Sequence, residues 1–210
     1  MTWDISRGAD DLMNDYYSLC WGELCPEIRS IYSTVNRIGS DLRYGASITV
    51  EIGWRANGFW QGPEKVTTVI MPQSQDIRTR LAFAEESVAI LDDCLRRLKE
   101  ISERLPEGDL LGNKVKKFSD VLRMSFLSHK AFLYFMQAVD SLWISKVLSL
   151  WPALKEKIVT CLQRALDVQK ELADFETNER EREGLLWWGQ CNMIEHLKKW
   201  KNLVESGHCK

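Results

Sequence analysis

Few residues in this 210-residue sequence are placed to do chemistry, and their spacing decides what each could do. The stretch NEREREG, Asn178 to Gly184, sets Glu179 and Glu183 four residues apart, on one face of a helix. Two carboxylates so placed could hold a metal or move protons. Alternating Glu and Arg instead point to a solvated helix start with local ion pairs, where the helix dipole favours acid. Cys20 and Cys25 form a C-x4-C pair, but no second Cys or His pair stands at metal-ligand spacing, and His129, His196 and His208 are isolated. Asp92-Asp93 and Asp10-Asp11 do not form the two matched acidic motifs of a prenyl-diphosphate metal site. G-x-G-x-x-G, a Gly-rich phosphate loop, G-x-S-x-G and H-E-x-x-H are all lacking. No catalytic, cofactor-binding or metal-binding residue is therefore assigned.

Aromatic side chains are the remaining candidates for binding. Trp187 and Trp188 in LLWWGQ lie about 100° apart on a helix, so one can enter the core while Trp188 faces a partner or a groove. Stacking on a sugar ring is conceivable there, but core or interdomain packing is the commoner use of such residues. Trp54, Phe59 and Trp60 cluster in a second place, around RANGFWQGPE. Their choice is between contacting carbohydrate or another domain and covering the end of the fold, and covering is favoured.

The elements that would position these residues are helices. Ile28, Ile31, Val35, Ile38 and Leu42 step by three and four after Pro26, a residue suited to a first helical turn, and Gly45 is a stop. Ile77, Leu81, Ala84, Val88, Leu91, Leu95 and Leu98 mark a long amphipathic helix ended by Pro106 and Gly108. From about Leu110 to Leu150 apolar residues occur all round, as expected of a central helix touched on several sides. Pro152 punctuates before a helix through Leu154, Leu162 and Phe175, and a last helix runs through Leu197, Trp200 and Val204. Between Gly45 and Asp76, SITVEIGW and KVTTVIM are rich in β-branched residues and flank Asn57-Gly58 and Gly62-Pro63. The expectation is an all-α protein: one domain over 1–210, an antiparallel bundle of about six helices, with a small β-hairpin or irregular excursion near residues 46–75.

Composition bounds the partners. With 45% hydrophobic residues and nine tryptophans the chain can fill a core. Twenty-eight Lys and Arg against 30 Asp and Glu give a formal charge of −2, which supports neither nucleic acid nor an anionic membrane as partner. Apolar runs such as AFLYFM and LLWW fall far short of the roughly 20 residues that span a bilayer. The N-terminus lacks the basic head, apolar stretch and cleavage site of a signal peptide, but a fragment would have lost one, so the compartment is not legible.

TWDISRGADDLMNDYYSLCWGELCPEIRSIYSTV, from Thr2 to Val35, resembles the junction that follows the catalytic barrel in glycoside-hydrolase-like proteins of the domain of unknown function 4838 family, and more distantly the alpha-glucuronidases. Trp3-Asp4 match the start of that junction, Asp10 or Asp11 with Leu12 its spaced Asp-Leu, Trp21-Gly22 its aromatic-Gly, and Ile28 with Tyr32 its following helix. RTRLAFAEESVAIL with Ala84-Glu85, and DVLRMSFLSHKAFLYF with Arg123, are similar to later helices of the family. Ile5 stands where the family usually has Pro, and residues 46–75 have no counterpart in it.

The resemblance implies that the acid and base carboxylates belong to a barrel, on loops at the C-terminal ends of its strands. No alternating strands and helices precede Trp3. The chain is then expected to be the helical C-terminal part of a carbohydrate-active protein, the product of an incomplete gene and inactive alone. It would pack on a catalytic barrel domain and lend Trp54, Phe59, Trp60 or Trp188 to carbohydrate or interdomain contact. The alternative is a self-contained helical protein–protein interaction module, which leaves a homo-oligomer open.

Overall fold

In a computed structural model, residues 8–39, 74–183 and 190–207 are described. All the elements among them are helical: α1 Ala9–Trp21, a 3-10 turn Gly22–Leu24, α2 Cys25–Gly39, α3 Ser74–Glu103, α4 Leu110–Val147, α5 Trp151–Glu183 and α6 Gln190–Glu205. The expected hairpin or excursion, residues 46–75, lies outside the described residues except for Ser74 and Gln75, which already belong to α3.

At 1.5 Å per residue α5 is about 50 Å long, and α3 and α4 are about 45 and 57 Å long. α3 and α4 run antiparallel. Phe83, near the start of α3, lies 6.4 Å from His129 in the second half of α4, while Leu98 and Ile101 share a core with Val115 at the start of α4. Every seventh residue of α3, from Ile77 through Ala84 and Leu91 to Leu98, is buried, as the spacing predicts. The second buried row differs from expectation. It is Ser87, Cys94 and Ile101, three residues on, whereas Leu81, Val88 and Leu95, four residues on, are only half-buried. Ser87 and Cys94 are small and buried, and the broad apolar arc of α3 lets its leucines flank them half-buried.

The turn from α3 to α4 follows from its residues. Arg104 and Leu105 donate backbone N–H groups to Ile101 and Ser102 at 3.2 Å, Pro106 stops the helix, and Gly108 takes φ 80. The far end of α4 closes differently: the Leu150 N–H reaches back to the Ser145 carbonyl at 2.9 Å, and Ser149 sits at φ 55 where glycine is the usual residue. Pro152 then falls in the first turn of α5, where its missing N–H costs nothing.

Three apolar clusters hold the helices together. The largest joins Phe132, Phe135 and Met136 of α4 to Ile158, Leu162 and Ala165 of α5 and to Leu197, Trp200 and Val204 of α6. Trp200 is fully buried and meets Phe135 edge-on at 4.9 Å and 70°. Lys155, early in α5, donates 2.7 Å to the carbonyl of Glu205 at the end of α6, so these two helices are also antiparallel. A smaller cluster continues the α4–α5 contact through Leu127, Ala131, Val168 and Leu172. At the other end of the α3–α4 pair, α1 and α2 cover Leu91, Cys94, Leu98, Val115 and Leu122 with Trp21, Ile28 and Ile31, and Ile38 touches both large clusters.

One local reading is corrected. NEREREG does not start a helix: Asn178 to Glu183 are the last turns of α5. Nothing punctuates between Phe175 and Glu183, so the helix runs on through them.

Candidate interaction surface

The residues singled out for aromatic contact, Trp54, Phe59, Trp60 and Trp188, all lie outside the described residues. Of those that carry the resemblance, Trp3 and Asp4 also lie outside the described residues, whereas Trp21, Ile28 and Ala84 build core. Gly22, at φ 52, ends α1 with its N–H on the Ser18 carbonyl. That turn buries Trp21 against Phe118 at 6.3 Å. Ile28 is fully buried, and Tyr32 stacks on Phe118 at 4.3 Å and 12°. Ala84 is buried beside exposed Glu85, and Arg123 pairs with Glu171 at 3.3 Å while lying over the Phe175 ring at 5.1 Å. They do not converge on a point where a substrate could react.

The titratable groups are likewise dispersed. Among the described residues no three His, Cys, Asp or Glu come together as metal ligands. Cys20 is hydrogen-bonded to Tyr16 one turn back, which raises the Tyr16 phenol, whereas Cys25 Sγ lies 3.7 Å from Ser18 Oγ. Ser18 is about 200° round α1 from Tyr16, so the two thiols address different sides of the helix and do not form a chelate. Burial pushes the Cys94 and Cys161 thiols up, which keeps them protonated and unreactive. Burial lowers His129, partly offset by the Ser125 carbonyl 2.8 Å from its Nδ1; the neutral ring donates that N–H.

Concavities lie between the described helices. One, of about 340 Å³, lies beside the α3–α4 turn between Leu105, Asp109 and Lys116. A larger one, of about 690 Å³, is an open groove between α3, α4 and α5, where Glu85, Asp140 and Glu156 alternate with Lys157 and Arg164. Its described lining holds no histidine, and its lone thiol, Cys161, is kept protonated by burial.

The feature with a clear physical demand is on α1. Leu12, Met13, Tyr16 and Leu19 are 39, 47, 58 and 88% exposed, although the other side of the same helix buries Trp21. At 100° per residue Leu19, Leu12 and Tyr16 fall within about 60° of one another and Met13 about 60° further round, one continuous apolar stripe. Scattered exposed leucines are ordinary; a stripe along one face of a helix marks an interaction surface. The sequence carried the signal. Leu12, Tyr16 and Leu19 are spaced four and three apart, alongside a second apolar row through Tyr17, Cys20 and Trp21, which makes α1 apolar on two sides. Among the described residues no helix is long and apolar enough to cross a membrane. No family model, no curated protein and no solved structure matches the chain.

Proposed function

We propose that the protein is a helical accessory domain that packs against a partner domain through α1 and carries no catalytic site of its own. The observation behind this reading is the exposed stripe Leu12, Met13, Tyr16 and Leu19, which α1 presents while anchored to the core by Trp21 on its opposite side. The resemblance of Thr2 to Val35 suggests what the partner is: the catalytic barrel of a glycoside-hydrolase-like protein, whose C-terminal end would lie at Trp3-Asp4, immediately before α1. Packing on the barrel leaves hydrolysis to barrel carboxylates. Trp54, Phe59, Trp60 and Trp188 then serve interdomain or carbohydrate contact.

The coding sequence upstream of Met1 tests the barrel. A barrel-coding sequence in the same reading frame supports it; a stop codon with a separate promoter overturns it and leaves the self-contained interaction module, which uses the same α1 stripe with a separate protein.

A further inference from the structure

We infer that α1 and α2 form one arm that opens from the α3–α6 body as a unit, ahead of global unfolding, and closes as a strap over the α3–α4 turn end of the bundle. The arm goes beyond the docking face and stands whether or not a partner occupies Leu12, Tyr16 and Leu19. Its basis is the way the apolar core divides. α1 and α2 meet the body through one cluster, where Trp21, Ile28 and Ile31 lie with Leu91, Cys94, Leu98 and Val115. Among the described residues, the clusters that join α4, α5 and α6 contain no buried side chain of α1 or α2, and half-buried Ile38 is the arm's one residue packed against them. Of the arm's described side chains Trp21, Ile28 and Ile31 alone are buried, whereas α4 buries twelve. A segment that buries so little opens at a lower free energy than the core helices.

The arm is tied to itself more closely than to the body. The turn at Gly22 joins its two helices, Tyr17 meets Tyr32 across them at 5.4 Å, and Cys25 Sγ lies 3.7 Å from Ser18 Oγ. Its polar ties to α3 are exposed: Arg104 pairs with Glu27 at 2.6 Å, and Arg97 donates 3.0 Å to Ser30 Oγ. Exposed contacts of this kind hold weakly. One further tie is part-buried, Lys114 donating 2.9 Å to the Cys20 carbonyl from α4. Residues 40–73 lie between α2 and α3 in sequence, so no short covalent connection pins the arm to the body. Opening uncovers Leu91, Leu98, Val115 and Leu122, a second apolar surface separate from the α1 stripe.

Hydrogen exchange of the full chain in low urea, read by mass spectrometry, tests the arm. Amides of residues 11–38 lose protection together, at urea concentrations where those of 127–172 remain protected. Labelling of Cys94 by a thiol reagent is a second readout, because that side chain is fully buried in the cluster the arm closes. Ile28→Ala with Ile31→Ala speeds Cys94 labelling by about tenfold or more. Arg104→Glu, which sets a second carboxylate against Glu27, speeds it by about threefold, and adding Glu27→Arg returns it to within about twofold of the parent. Protection over 127–172 stays as in the parent for every variant.

Loss of protection over 11–38 and 127–172 at the same urea concentration overturns the arm, as does loss in α1 without α2. Cys94 labelling that neither the alanine pair nor Arg104→Glu accelerates overturns it as well.

Discussion

Replacing Trp200 with alanine removes the side chain that anchors α6. Trp200 is fully buried, meets Phe135 edge-on at 4.9 Å, and lies 6.0 Å from His196 one turn earlier. A buried indole removes 150–250 Å² from water, which at roughly 25 cal/mol per Å² is about 4–6 kcal/mol before subtracting what alanine retains. The edge-on ring pair adds about 1 kcal/mol, and incomplete collapse of the cavity brings the expected loss to about 3–5 kcal/mol. Sixteen residues of helix are marginal in water without packing, so the loss falls first on α6 and on the Lys155–Glu205 bond that closes it onto α5. Urea unfolding followed by circular dichroism measures the total, and hydrogen exchange shows α6 amides losing protection before those of α4. Trp200→Phe keeps a ring against Phe135 and costs about 1–2 kcal/mol. A loss below about 1 kcal/mol for Trp200→Ala, or even loss of protection over all helices, would refute the account of Trp200 as the main anchor of α6.

Ser149→Gly relieves a left-handed backbone that costs a non-glycine residue about 1–2 kcal/mol, against an entropic cost of under 1, so a net gain of about 0.5–1 kcal/mol in urea stability is expected. Tyr32 and Phe118 stack at 4.3 Å, so a double-mutant cycle to alanine gives a coupling of about 0.5–1.5 kcal/mol, and an additive pair contradicts the contact. His129 titrates lower folded than unfolded. The unfolded chain therefore binds the extra proton first, and stability falls as pH drops from about 6.5 toward the folded value; between pH 7.5 and 5.5, urea stability of His129→Gln should decline less than that of the parent.

The chain's helical character was legible because its signals are periodic and local. Ile77, Ala84, Leu91 and Leu98 repeat every seven residues on a face no other pattern explains, and Pro106 with Gly108 has no helical use. The buried row at Ser87 and Cys94 was not legible, because a small residue reads the same in sequence whether or not neighbouring helices cover it. NEREREG misled because alternating Glu and Arg suit either end of a solvated helix, and the sequence before it contains no Gly or Pro to fix which. The α1 stripe was in plain spacing, yet an apolar residue reads as core until burial shows which of two apolar sides is occupied. The resemblance drew attention to Trp21-Gly22 and to Ile28 with Tyr32. The structure gives them local reasons: a turn at positive φ, a buried indole and a stacked ring.

Binding of a hydrophobic fluorescent dye tests the central claim most directly, comparing the parent chain with a Leu12→Ser, Met13→Ser, Leu19→Ser variant at matched urea stability. The account predicts strong dye fluorescence with the parent and loss of most of it in the variant, with stability unchanged to within about 0.5 kcal/mol because these side chains are exposed. A dye-silent parent, or a variant that binds dye as the parent does, would contradict the claim that α1 carries the docking surface.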